Sequence, residues 1–137
     1  MSNAWHPFMA ATLGSAVVNG VFSTAHISKP RPFEDGEVLD VPGRPHVIHT
    51  PGHTPGEVAF YLPAQQVLIS GDALVTQDLF TGRAGLQLTR PQLNDDYADA
   101  RKSLDRLKDL GKVKILPGHG RPWDGEIVEA ISKALSA

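Results

Sequence analysis

Between His49 and Gly56 the chain reads His-Thr-Pro-Gly-His-Thr-Pro-Gly, eight residues that neither a helix nor the middle of a sheet accepts. Pro51 and Pro55 fix φ and offer no N–H, while Gly52 and Gly56 admit backbone angles that other residues avoid. The segment is therefore a stiff turn, and it holds the imidazole of His53 in one place. Pro117-Gly118-His119-Gly120 repeats the device near the C-terminus, and Ser70-Gly71-Asp72-Ala73 sets an aspartate behind an apolar run. Taken singly, each has an ordinary explanation. A loop histidine is a common solvated residue, and an aspartate after glycine is most often a cap or turn residue. Here, however, all three follow an expected strand, and side chains at strand ends meet when those strands are neighbours in one sheet.

Strands are expected at Val38–Val41, His46–His49, Val58–Leu62, Gln66–Ser70 and Val113–Leu116. The unbroken run Val67-Leu68-Ile69 reads as a strand buried on both faces. Pro63-Ala64-Gln65 makes a hairpin of the third and fourth strands. Residues 75–90 are polar, carry Gly82 and Gly85, and read as a long loop over the site. Leu93, Tyr97, Ala100, Leu104, Leu107 and Leu110 recur at helical spacing. Asp95, Asp96 and Asp99 crowd the start of that helix, Arg106 and Lys108 its end, and Gly111 stops it. Ile127, Ile131 and Leu135 mark a last amphipathic helix. Residues 5–22 suggest a short helix after Pro7, weakened by Gly14 and Gly20, and residues 28–37 a turn-rich connector. Interspersed strands and helices give an α/β class.

The 137 residues are expected to form one domain, 1–137, large enough to bury a real core. A net charge of −2 and the lack of a basic stripe give no reason to expect nucleic acid. Without cysteine, any metal must sit on histidine and carboxylate. No apolar run is long enough to span a membrane. The apolar stretch from Phe8 to Phe22 lacks the basic start and clean cleavage site of a signal peptide, so a cytoplasmic protein is expected. No nucleophile elbow, phosphate-binding loop or Rossmann glycine pattern occurs.

Together the three pieces resemble the C-terminal signature of the metallo-β-lactamase superfamily, from about Pro32 to Trp123, with residues 1–31 matching poorly. Phe33-Glu34-Asp35-Gly36-Glu37 also resembles that family. The resemblance implies a four-layer αββα sandwich of two similar halves. This chain resembles the second half: a mixed sheet with flanking helices. It further implies one or two zinc, iron or manganese ions and hydrolysis of an ester, thioester, lactone or lactam by metal-bound hydroxide. Carried over position by position, the metal ligands are His53, Asp72 and His119, with Asp72 bridging the metals and orienting the attacking water.

The family's first motif, His-x-His-x-Asp-His, does not occur in this chain. Without it each metal keeps too few protein ligands, since a catalytic zinc ordinarily has three plus a water. The three remaining ligands suffice for one ion only if the site contracts. A lone half-sandwich also exposes an apolar sheet face, so a homodimer is expected in which two copies take the places of the two halves. Three functions stay open: a metal-dependent hydrolase acting on a small molecule, impaired by truncation; a non-catalytic assembly module; and a small-molecule binding protein that uses the same cleft without turnover. His49 is a neighbour of ligands rather than a ligand. His6, His26 and His46 have no context that suggests chemistry, and Asp78 and Asp124 are read as loop residues.

Overall fold

The computed structural model describes residues 29–137 together with Val18. The suggested helix after Pro7 and nearly all of residues 1–31 lie outside the described residues. Along the chain come β1 (His46–His49), β2 (Val58–Leu62), β3 (Val67–Gly71), β4 (Val75–Gln77), β5 (Ala84–Gln87), α1 (Tyr97–Ser103), β6 (Lys112–Pro117), β7 (Trp123–Glu126) and α2 (Ile127–Ser136). Single 3₁₀ turns cover Pro63–Gln65 and Pro91–Leu93, and a longer one, Leu104–Leu110, continues α1.

The main sheet has the order β1-β2-β3-β6-β7, and β4 and β5 form a separate two-stranded sheet. The pairs β1–β2, β2–β3 and β6–β7 are antiparallel, while β3–β6 is parallel. It is the mixed sheet with flanking helices that the sequence suggests. Residues in register share a face, so Tyr61, Leu68, Ile115 and Trp123 stand in one row. That row belongs to the core, with Leu104 and Leu107 of the 3₁₀ segment and Ile127, Ala130 and Ile131 of α2 packed against it.

Val47, Phe60, Ile69 and Leu116 form the row on the opposite face. The run Val67-Leu68-Ile69 is consequently not buried on both sides. Leu68 is fully buried, but Ile69 is 40% exposed because the helices cover only one face. On the outer face Phe33 reaches Phe60 edge-on, with ring centroids 5.4 Å apart.

Four other expectations are corrected. Val38–Val41 is not a strand: only Val38 bridges to His46, because the chain turns at once through Gly43 and Arg44, both at positive φ. Residues 75–90 are not a long loop but largely the β4–β5 hairpin. Its connection is closed by Asp78, whose carboxylate accepts the N–H groups of Phe80 and Thr81, and by Gly82 at φ +72°. The helix expected to include Leu93 begins only at Tyr97, where Asp96 caps it by accepting the N–H of Asp99 at 2.9 Å. Asp124 lies in β7, a strand the sequence reading lacked, with Lys114 3.6 Å away on the neighbouring strand. Gly111, at φ +68°, does end the long helical segment.

Candidate metal centre

Strand direction explains why three distant turns meet. β1 is antiparallel to β2, and β2 to β3, so β1 and β3 run the same way; β6 is parallel to β3. The C-terminal ends of β1, β3 and β6 therefore share one edge of the sheet. His53, Asp72 and His119 each sit on the turn that follows one of these ends.

His53 is fixed through its backbone and its ring. Gly52 O and His53 O accept the N–H groups of Asp96 (2.9 Å) and Asp95 (3.2 Å). These two bonds tie the start of α1 to the turn and hold Asp95 and Asp96 out of the helix. Gly52 lies at φ +135°, and a Cβ there would stand 2.1 Å from the Ala100 nitrogen, so only glycine fits. At the ring, Thr89 Oγ1 lies 3.5 Å from Nδ1. The single hydroxyl proton of Thr89 is donated to Asn94 Oδ1 at 2.9 Å. Asn94 is oriented by its amide, which donates to the carbonyls of Thr89 and Arg90. The Thr89 oxygen is therefore an acceptor toward the Nδ1 side of the ring, and the opposite nitrogen, Nε2, points into the centre. That Nε2 faces Asp72 Oδ2 at 3.4 Å.

Asp72 is held from two sides. Its backbone N–H donates to Glu57 Oε1 at 2.7 Å, and the adjoining Gly71 carbonyl accepts the N–H of Gly118 at 2.8 Å. Gly118 is pressed so close that a Cβ would stand 2.4 Å from Asp72 Oδ1. On the same side His119 Nε2 lies 3.3 Å from Oδ1. His119 O accepts the N–H of Thr76 at 2.9 Å, and the Thr76 hydroxyl donates to Arg121 O at 2.6 Å, so β4 braces this turn.

Asp72 therefore presents one oxygen to each imidazole. A proton or a metal cation lying between each imidazole and its carboxylate oxygen would satisfy both partners, and imidazole with carboxylate suits a divalent transition metal. The donor types suit a metal, but each imidazole–Asp72 pair offers an ion two protein ligands, one fewer than a catalytic zinc ordinarily has. His53 and His119 stand on different oxygens of Asp72 rather than gathering round one point. Among the described residues no three His, Asp or Glu side chains close on a single ion. Side-chain exposures of 25%, 22% and 34% for His53, Asp72 and His119 leave the centre open to a ligand.

The sequence reading missed four supporting residues: Glu57, Thr76, Thr89 and Asn94. Glu57 directly follows the His53 turn, and burial raises its carboxyl above the ordinary range against the opposing pull of the Asp72 N–H. Its Oε2 is buried without a hydrogen-bond partner. His49 stays outside the centre, its N–H donating to Asp35 Oδ1 at 2.9 Å, and the exposed His46 lies edge-on to Tyr61. His6 and His26 fall outside the described residues. A cleft of about 380 Å³, lined by Asp78, Arg83, Leu88, Arg90 and Tyr97 among others, shares Thr89 with the centre. None of the described helices is long and apolar enough to cross a membrane.

Comparison with known proteins identifies the fold and family. Residues 4–119 match the family model for the metallo-beta-lactamase superfamily, a match that begins well before the motifs do. The human acyl-coenzyme A thioesterase MBLAC2 is 30% identical over 96 residues, which cover 69% of this chain and 32% of that protein. A metallo-beta-lactamase family protein of Thermus thermophilus is 32% identical with a TM-score of 0.57, covering 91% of this chain and 43% of that one. TTHA1623, solved in a di-iron-bound form, is 28% identical with a TM-score of 0.51, covering 97% of this chain and 63% of that one. The chain spans about a third of the length of the curated relatives it matches.

Proposed function

The chain belongs to the metallo-beta-lactamase superfamily, and from that premise we propose that it is a metal-dependent hydrolase whose centre is carried by His53, Asp72 and His119. The observation that carries the reading is Asp72 with a different imidazole on each carboxylate oxygen, at 3.4 and 3.3 Å. One cation would be held by His53 Nε2 and Asp72 Oδ2, a second by His119 Nε2 and Asp72 Oδ1. Zinc, iron and manganese all suit imidazole and carboxylate, and the di-iron form of TTHA1623 favours a redox-capable ion as much as zinc. Such an ion supplies Lewis-acid polarisation of a substrate carbonyl.

The chain's own residues do the rest. Thr89 and Asn94 keep His53 Nε2 aimed inward. Asp72 concentrates negative charge between the imidazoles and orients a water there. The β4–β5 hairpin, braced on His119 through Thr76, walls the centre. A thioester is the substrate class to test first, because the human relative is by name an acyl-coenzyme A thioesterase. An ester, lactone or lactam remains within the same chemistry. The test is hydrolysis of acyl-coenzyme A and aryl-ester substrates after metal loading. The reading expects turnover that a chelator abolishes and that Asp72→Ala lowers at least about a hundredfold. Turnover unchanged in Asp72→Ala would contradict it.

A second, compatible reading concerns assembly. Ile69 is 40% exposed in the middle of the outer sheet row, beside Phe60 and Leu116. A second copy of this chain laid against that row would form a homodimer and complete a layered sandwich.

A further inference from the structure

Glu57 joins the two turns that carry His53 and Asp72. Its backbone closes the first: Glu57 N donates to Thr54 O at 3.3 Å, and Glu57 O accepts the N–H of Thr50 at 2.9 Å. Its side chain reaches the second, where Oε1 accepts the Asp72 N–H at 2.7 Å. At this point the β3–β6 ladder is irregular, its register shifting between Ile69 and Gly71. Gly71 adopts φ +55°, and a Cβ on it would stand 3.0 Å from Glu57 Oε1. The Asp72 N–H is therefore satisfied by a carboxylate and not by a neighbouring strand. The opposite carboxylate oxygen, Oε2, is buried without a partner.

We infer that Glu57 is a positioning residue: by accepting the Asp72 N–H from the base of the His53 turn, it sets the separation of His53 from Asp72. This rests on the metal reading above and adds to it a residue that touches neither ion. Side-chain length is decisive in this geometry. Aspartate keeps the charge but is one methylene short of the Asp72 N–H, and glutamine keeps the reach and an acceptor oxygen.

The test compares Glu57→Gln, Glu57→Asp and Glu57→Ala with the unaltered chain, with far-UV circular dichroism to confirm the fold of each. Zinc affinity is measured by competition with a chromophoric chelator, and Asp72 amide exchange by NMR on metal-free protein. Glu57→Asp and Glu57→Ala are expected to weaken zinc binding about tenfold or more and to speed Asp72 amide exchange by a similar factor. Glu57→Gln is expected to restore both to within about threefold of the unaltered chain, as an equivalent acceptor should. Zinc affinity and amide protection unchanged in Glu57→Asp would overturn the inference. Equal loss in Glu57→Gln and Glu57→Ala would overturn it too, because charge and not reach would then be the cause. Should the two shortened variants fail to fold, unchanged exchange and affinity in Glu57→Gln support the inference and loss in it counts against. Zinc that fails to bind the unaltered chain contradicts the metal reading itself, while the exchange rates still decide whether Glu57 holds Asp72.

Discussion

Two glycines in the centre separate what a residue does for stability from what it does for the site. Gly118 has an ordinary φ, but a methyl there would meet Asp72 Oδ1 at 2.4 Å. Gly118→Ala is expected to push the Asp72 carboxylate aside, weakening zinc binding about tenfold or more with a smaller effect on the melting temperature. Gly52 is constrained by backbone on both counts: its φ is +135°, and a Cβ would stand 2.1 Å from the Ala100 nitrogen. Gly52→Ala is expected to cost about 3 kcal/mol or more in denaturant unfolding, in the range of strain and overpacking combined. If the two variants lose stability and zinc in the same proportion, the distinction between them is wrong. At this scale the sequence was readable wherever local geometry alone fixes a side chain. His53, Asp72 and His119 were legible because each lies on a glycine-containing turn behind an apolar run. Glu57 and Thr89 were not, because the importance of each depends on a partner far along the chain. Glu57 matters through Asp72, which lies across the β2–β3 pair, and Thr89 matters through His53.

The element that departs most from expectation is the β4–β5 hairpin. Residues 75–90 are polar and glycine-bearing, so neither helical nor strand periodicity marks them. What shapes them is Asp78, held by the Phe80 and Thr81 N–H groups and by Arg90 Nε at 2.6 Å. Burial alone would raise the Asp78 carboxyl, but Arg90 and these N–H donors outweigh it and bring the pKa down to about 2 from 3.8. A carboxyl whose folded pKa is lowered contributes stability above its ordinary range and loses that contribution as pH falls from about 4 to about 2. Arg90 is partly solvent-screened, so the effect is modest, on the order of 1 kcal/mol. Asp78→Asn is therefore expected to melt a few degrees below the unaltered chain at pH 6. The gap should narrow when both are compared near pH 2.5; a gap of the same size at both pH values would show that the carboxylate charge is not what holds the hairpin. α1 teaches a related lesson. Its apolar spacing extends back to Leu93, but Asp95 and Asp96 spend their N–H groups on the His53 turn, and tertiary bonding overrides the periodic signal. The strands β1, β2, β3 and β6 were legible to within a residue or so, since apolar runs bounded by proline or glycine have few alternatives. β7 was not, since Trp-Asp-Gly-Glu carries no apolar alternation.

At the scale of the whole molecule, one sheet has two unequal faces. The inner face is closed by Leu104, Leu107 and α2, and shortening any fully buried side chain there costs cavity and transfer energy. Leu68→Ala is expected to destabilise by about 2–5 kcal/mol, read from a denaturant midpoint; a loss below about 1 kcal/mol would place Leu68 outside the core. The outer face, with Ile69 at its middle, is the one the dimer reading covers. Multi-angle light scattering at micromolar concentration should give twice the chain mass, and Ile69→Asp should return it to the monomer; a monomer in the unaltered chain contradicts that reading. The fold was expected from the motifs because strand ends and turns sit in the right order, but the distances of His53 and His119 from Asp72 needed the three-dimensional structure. Whether these turns hold a metal is read by elemental mass spectrometry of untagged protein purified without added metal, beside Asp72→Ala shown by circular dichroism to be folded. Zinc, iron or manganese is expected to be bound to the unaltered chain and lost from the variant. A chain that retains no metal, or a variant that retains as much as the unaltered chain, would contradict the metal reading.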